Sequence, residues 1–301
     1  MKIITTALFT ALATSLLAAC GNGGDSATIS SGPQTVTIAF DAIANGSSAR
    51  CGTTLTSLGS TGVSANLRDL RFYVSNVALI DASGNAAPLS FTTNAWQNAS
   101  VALLSFIDGS GATCGGQPLA TNTSITGTVA AGSYVGLQFE VGVPESVNHT
   151  DYAAATAPLD VSAMAWSWQI GRKFVKIEVD PVGGITKTAG GTGAIWYLHL
   201  GSTGCSASSS SSAGFVCTNS NRAPVKLASF DAARQKVVLD LTALYTGANL
   251  ALDQGGAPGC MSEPTDADCT APFANLKIDL ATGAPLSGGS SSQRVFIAAS
   301  K

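Results

Sequence analysis

The sequence predicts an all-β domain, an antiparallel β-sandwich with long disulfide-bonded loops. Three observations lead there. Apolar residues recur with period two in short runs, and turn-forming residues separate the runs. Charged residues make up only 11 % of the chain, too few for long salt-bridged helices.

The runs follow in order. Val36, Ile38 and Phe40 alternate with Thr37 and Ala39, and Leu70, Phe72 and Val74 with Arg71, Tyr73 and Ser75. Val135, Leu137, Phe139 and Val141 share one face of the next strand. Val175, Ile177 and Val179 alternate with Lys176 and Glu178, and Trp196, Leu198 and Leu200 with Tyr197 and His199. Val237, Leu239 and Leu241 alternate with Val238 and Asp240. Turn chemistry lies between them at Asn45-Gly46, Ser83-Gly84-Asn85, Ala131-Gly132 and Pro181-Val182-Gly183-Gly184. Short helices are expected at Ala153–Ala155 and Leu241–Tyr245. Such a series of short strands points to two packed sheets or a barrel.

The start of the chain reads as an export signal. Lys2 precedes an uncharged apolar run from Ile3 to Leu17, which suits a signal peptide and is short for a membrane span. It ends in Leu17-Ala18-Ala19-Cys20, which resembles the lipobox of bacterial lipoproteins. The resemblance implies cleavage before Cys20, lipidation of that thiol, and a periplasm-facing protein anchored by lipid. Gly21 rather than Asp after the cysteine implies, by resemblance to the sorting rule of enterobacterial lipoproteins, the outer membrane. The expected organisation is a signal peptide over 1–19, a lipidated cysteine with a flexible tether over 20–35, and one domain over 36–301.

Seven cysteines less Cys20 leave six in an oxidising compartment. Fifteen pairings of six are possible. The spacing favours Cys205 with Cys217, Cys260 with Cys269, and the longer closure of Cys51 with Cys114. The Ser206–Ser212 run reads as a loop inside the Cys205–Cys217 closure. No C-x-x-C pair suggests a cysteine metal site.

Catalytic templates are missing: the sequence holds no G-x-S-x-G, H-E-x-x-H, P-loop or full G-x-G-x-x-G. The expectation is that the protein is not an enzyme. A carboxylate hydrolase would need two distant acids such as Asp151 and Asp160 to meet. A net charge of −3 without a basic cluster argues against nucleic acid. The chain has two histidines, His149 after a strand and His199 within one, fifty positions apart. From the residues alone they are either unrelated or ligands of one ion. Trp166 and Trp168, two apart, fall on one face if the segment is a strand. They read as core, or as an aromatic platform for a sugar.

Several segments together resemble the MbnP family of periplasmic copper-binding proteins, the four-cysteine half of a metallo-mystery pair. They are Asp69-Leu70-Arg71-Phe72-Tyr73-Val74-Ser75, Gly142-Val143-Pro144 leading to Asn148-His149, Ala163-Met164-Ala165-Trp166-Ser167-Trp168-Gln169-Ile170-Gly171-Arg172-Lys173-Phe174, His199-Leu200-Gly201-Ser202-Thr203-Gly204-Cys205, and Gly259-Cys260-Met261-Ser262. Where the family usually shows Gly-Tyr-Lys-Phe, this chain has Gly171-Arg172-Lys173-Phe174. The resemblance implies copper held by His149 and His199. It also implies that either Trp166 or Trp168 is oxidised to kynurenine by a di-haem partner related to MauG and cytochrome c peroxidase, in a role in copper homeostasis. The rival reading is a surface lipoprotein that binds glycan or protein through loop aromatics.

Overall fold

The computed structural model describes residues 32–167, 170–209 and 214–301. Cys20 and Trp168 lie outside the described residues, as do the export signal and most of the tether. Two sheets face each other. The first runs Ser90–Phe91, Ser124–Val129, Gln34–Ala44, Gln235–Asp240, Phe296–Ser300. The second runs Ala223–Leu227, Tyr134–Val141, Val63–Asp81, Val175–Pro181, Trp196–Leu200, Gly259–Cys260. The all-β expectation holds. Pairing is mostly antiparallel, but Gln34–Ala44 lies parallel to Gln235–Asp240, and Trp196–Leu200 parallel to Gly259–Cys260.

Alternation explains which side of each strand is buried. In Gln34–Ala44 the residues Ile38, Phe40, Ala42 and Ala44 turn inward and their neighbours outward. Phe40 meets Phe72 and Phe139 of the second sheet edge-on at 6.1 and 5.9 Å between ring centres. Phe296 meets the same two rings from the other edge of the first sheet. These T-shaped contacts favour aromatic quadrupoles and lock the sheets face to face.

The structure corrects several local expectations. Val135 is 47 % exposed. It is the extra residue where Ile80 pairs Gly136 and Asp81 pairs Tyr134, and a bulge turns its side chain out. The segment Tyr152–Ala154 forms a turn, not a helix. The helix expected at Leu241–Tyr245 is found, as Leu241–Leu244, because the Asp240 carboxylate caps the Thr242 and Ala243 amides. Ser206 and Ala207 extend a strand rather than a loop, pairing with Val216 and Phe215.

The disulfides are Cys51–Cys114, Cys205–Cys217 and Cys260–Cys269, the pairing that the spacing favours. Each limits the unfolded chain and contributes about 2–4 kcal/mol. Cys205 and Cys217 are direct partners across the Thr203–Ala207 and Phe215–Asn219 hairpin. The connection between Val141 and Val175 folds back over the outer face of the second sheet. Tyr73, beside inward-facing Phe72, is fully buried there and donates its hydroxyl to the Pro158 carbonyl at 2.8 Å.

Candidate metal site

Two neighbouring strands of the second sheet build the site. Val175, Ile177 and Val179 enter the core from one, and Trp196, Leu198 and Leu200 from the other. Alternation sends Lys176, Glu178, Tyr197 and His199 to the opposite face. Lys176 pairs with His199 and Glu178 with Tyr197, so Glu178 and His199 are diagonal neighbours within side-chain reach.

His199 is only 5 % exposed. Its Nε2 lies 2.8 Å from Glu178 Oε1. Its Nδ1 is buried with no hydrogen-bond partner among the described residues. Burial lowers the imidazole's pKa; the Glu178 contact opposes that shift, and the positive charges of Lys173 and Lys176 reinforce it. The ring is therefore neutral at neutral pH. Burial pushes the Glu178 carboxyl up, but hydrogen bonds from His199 and Lys176 outweigh it and hold the group at about 2. Lys176 Nζ bridges Glu178 Oε1, at 2.8 Å, and Asp69, which also pairs with Arg71. The result is a chain of partnered charges ending on the imidazole, consistent with the rule that buried charges need partners.

His149 follows the short helix Glu145–Asn148 and is 6 % exposed. Its ring stacks on Phe215 at 4.9 Å. Its Nε2 is 3.2 Å from Asn148 Nδ2 and 3.1 Å from Cys217 Sγ. Among the described residues, one group of three potential ligand side chains lies together, His149 with Cys205 and Cys217. Those two sulfurs are bonded to each other, so neither is a thiolate and the trio is not a His/Cys metal site. His199 is not in that group.

The two histidines instead share a neighbour, the turn from Ala165 to Arg172. Bridge pairing of Ala165 with Arg172 closes it, with Gly171 N donating to Ser167 O at 2.8 Å. Trp166, the described member of the pair, lies outside any strand, unlike the strand reading of the Trp spacing. Gly171 makes the closure possible, with φ at +96° and a position where a Cβ would fall 2.6 Å from Asn148. On one side the turn holds the loop of His149: Asn148 Oδ1 accepts from Arg172 N at 2.8 Å. On the other, half-buried Trp166 lays its six-membered ring on Gly201, two residues beyond His199. A Cβ there would come 2.4 Å from the ring. The described Trp of the pair thus packs against the Gly201 backbone. Asp151 and Asp160 are both exposed, and Asp151 Oδ1 accepts from the Ala153 amide.

The pattern of the MbnP family matches residues 33–262. The chain belongs to the MbnP family. A solved structure, MbnP from Methylosinus trichosporium, is 37 % identical, covers 89 % of this chain and 99 % of its own, and superposes with a TM-score of 0.80. No curated protein matches.

Within this MbnP fold three side chains matter that the sequence did not single out. Glu178 read only as the outward partner in an alternating strand, and its contact with His199 arises from strand pairing. Asn148 read as part of a motif rather than as the link between His149 and the turn. Arg172 read as a departure beside the tryptophans. It is 1 % exposed, and its guanidinium donates to the carbonyls of Asn148, Thr150 and Leu159. Its buried cation is held by three carbonyls instead of a carboxylate, and burial lowers its pKa.

Proposed function

We propose that this MbnP-family protein binds copper through His149 and His199 and serves copper homeostasis at the periplasmic face, without catalysing a reaction itself. The observation that carries the reading is His199: a buried, neutral imidazole whose Nδ1 has no hydrogen-bond partner among the described residues, lying close to the Trp166 segment that also anchors the loop of His149. An unpartnered buried acceptor costs about 1–3 kcal/mol, a cost that a bound ion at that nitrogen removes. The donor set fits copper. Imidazole suits it among first-row metals, the six described cysteines are held as disulfides, and Met164 is fully buried in the core.

Trp166 or Trp168 is then the residue oxidised to kynurenine by a di-haem partner of the MauG and cytochrome c peroxidase type. Two equivalents of peroxide cleave the indole C2–C3 bond, each leaving one oxygen atom on the side chain and releasing one water, and hydrolysis then removes C2 as formate. The indole nitrogen, whose lone pair belongs to the ring, becomes an aniline nitrogen beside a ketone oxygen, and either can donate. Lipidation at Cys20 attaches the protein to the membrane, with the segment that follows as its tether.

Copper titration of protein co-produced with its partner tests the site. His149→Ala and His199→Ala are each expected to weaken binding at least about 100-fold, as loss of one of few ligands would. Wild-type affinity in either variant removes that histidine, and wild-type affinity in both removes the site. Peptide mass reads the oxidation: the net change is one carbon exchanged for one oxygen. Two unmodified tryptophans in copper-loaded protein would end the kynurenine claim. Release of Cys20→Ala protein from membranes reads the anchor.

A further inference from the structure

Glu178 is a carboxylate with no evident structural need for an imidazole, since Lys176 already partners it. Yet its Oε1 also sits 2.8 Å from His199 Nε2. An ionised carboxylate accepts and cannot donate, so the proton between them belongs to the nitrogen. A neutral imidazole carries one N–H, and placing it on Nε2 leaves the lone pair on Nδ1. That is the nitrogen that is buried and without a partner among the described residues. Neighbouring groups hold the ring in place. Ser262 donates to the His199 carbonyl at 2.9 Å and accepts from Gly201 N at 3.0 Å, pinning the backbone on either side of Leu200. Tyr197 meets the imidazole edge-on at 5.4 Å.

We infer that Glu178 is a positioning residue that fixes His199 as the Nε2–H tautomer and thereby makes Nδ1 its metal-binding atom. The inference rests on the copper reading above and goes one step further, naming the donor atom and the group that selects it. A carboxylate on the far nitrogen orients a ligating imidazole and raises its basicity. Lys176, Asp69 and Arg71 extend the arrangement by keeping Glu178 ionised in a buried place.

The chain has only two histidines, so long-range proton–nitrogen correlation of the metal-free, nitrogen-labelled protein resolves both rings, with His149→Ala assigning them. The expected result is a protonated Nε2 and a bare Nδ1 at His199. On adding Cu(I), which is diamagnetic, the Nδ1 resonance should move while the Nε2–H persists. Glu178→Gln should mix the tautomers and weaken Cu(I) binding about 10–100-fold. The wild-type measurement decides the tautomer even if that variant folds poorly. A protonated Nδ1 in the metal-free protein, or a copper-induced shift at Nε2, overturns the inference while leaving His199 a ligand. Wild-type copper affinity in His199→Ala overturns both.

Discussion

At the scale of the residue, burial and neighbours set charge states that composition cannot show. Asp266 is an example outside the site. Burial raises its pKa to about 6, and the Asp268 and Asp253 carboxylates nearby add to the rise. A raised acid binds its proton more tightly folded than unfolded. Its contribution is complete below the ordinary value of 3.8 and fades as pH rises through about 6. The Asp266 side chain also accepts from the Asp268 amide at 2.9 Å, a role that asparagine can keep. Asp266→Asn should therefore be more stable than wild type at pH 7.5 by about 1–2 kcal/mol and nearly equal to it at pH 4. Urea denaturation at the two pH values reads this, and an identical difference at both would show that the carboxyl's titration is not the cause.

At the scale of the element, the turn from Ala165 to Arg172 is the piece that relates the two histidines. Arg172 ties it down through carbonyls of the segments that precede it. Hydrogen bonds to a charged group contribute more than neutral ones, and buried carbonyls left without partners add their own cost. Arg172→Met should destabilise the protein by about 3 kcal/mol or more and weaken copper binding by freeing the loop of His149. Lysine should not rescue it, since one ammonium cannot match a planar fork that reaches three carbonyls. A change under about 1 kcal/mol would mean that the turn stands without this anchor.

At the scale of the whole molecule, the sandwich is completed from beyond the matched family region, which ends at residue 262. The strand Phe296–Ser300 pairs with Gln235–Asp240, itself paired in parallel with Gln34–Ala44. Phe296 enters the core, 2 % exposed, between Phe72 and Phe139. Phe296→Ala should cost about 3–5 kcal/mol in chemical denaturation. A loss well below that would show an appended strand rather than a closing one. The site lies on the outer side of the second sheet, so its geometry depends on this closure only through the strands that carry it.

Much of this protein was legible locally. Period-two alternation marks Gln34–Ala44, Val175–Pro181 and Trp196–Leu200 because side chains of a strand must alternate between core and outside. Short cysteine spacings mark two disulfides because a closed loop needs only nearby ends. What spacing could not show was which distant groups meet. Glu178 faces His199 through a strand register, Arg172 reaches three carbonyls across a fold-back, and Gly201 lies under Trp166 because two segments converge. Val135 turned outward because a bulge belongs to a pair of strands and not to either one. The pattern along the chain settles what each strand buries, because that is a property of neighbours in sequence. Contact between strands is a property of the closed sandwich, and the tertiary structure alone decided the surroundings of each imidazole.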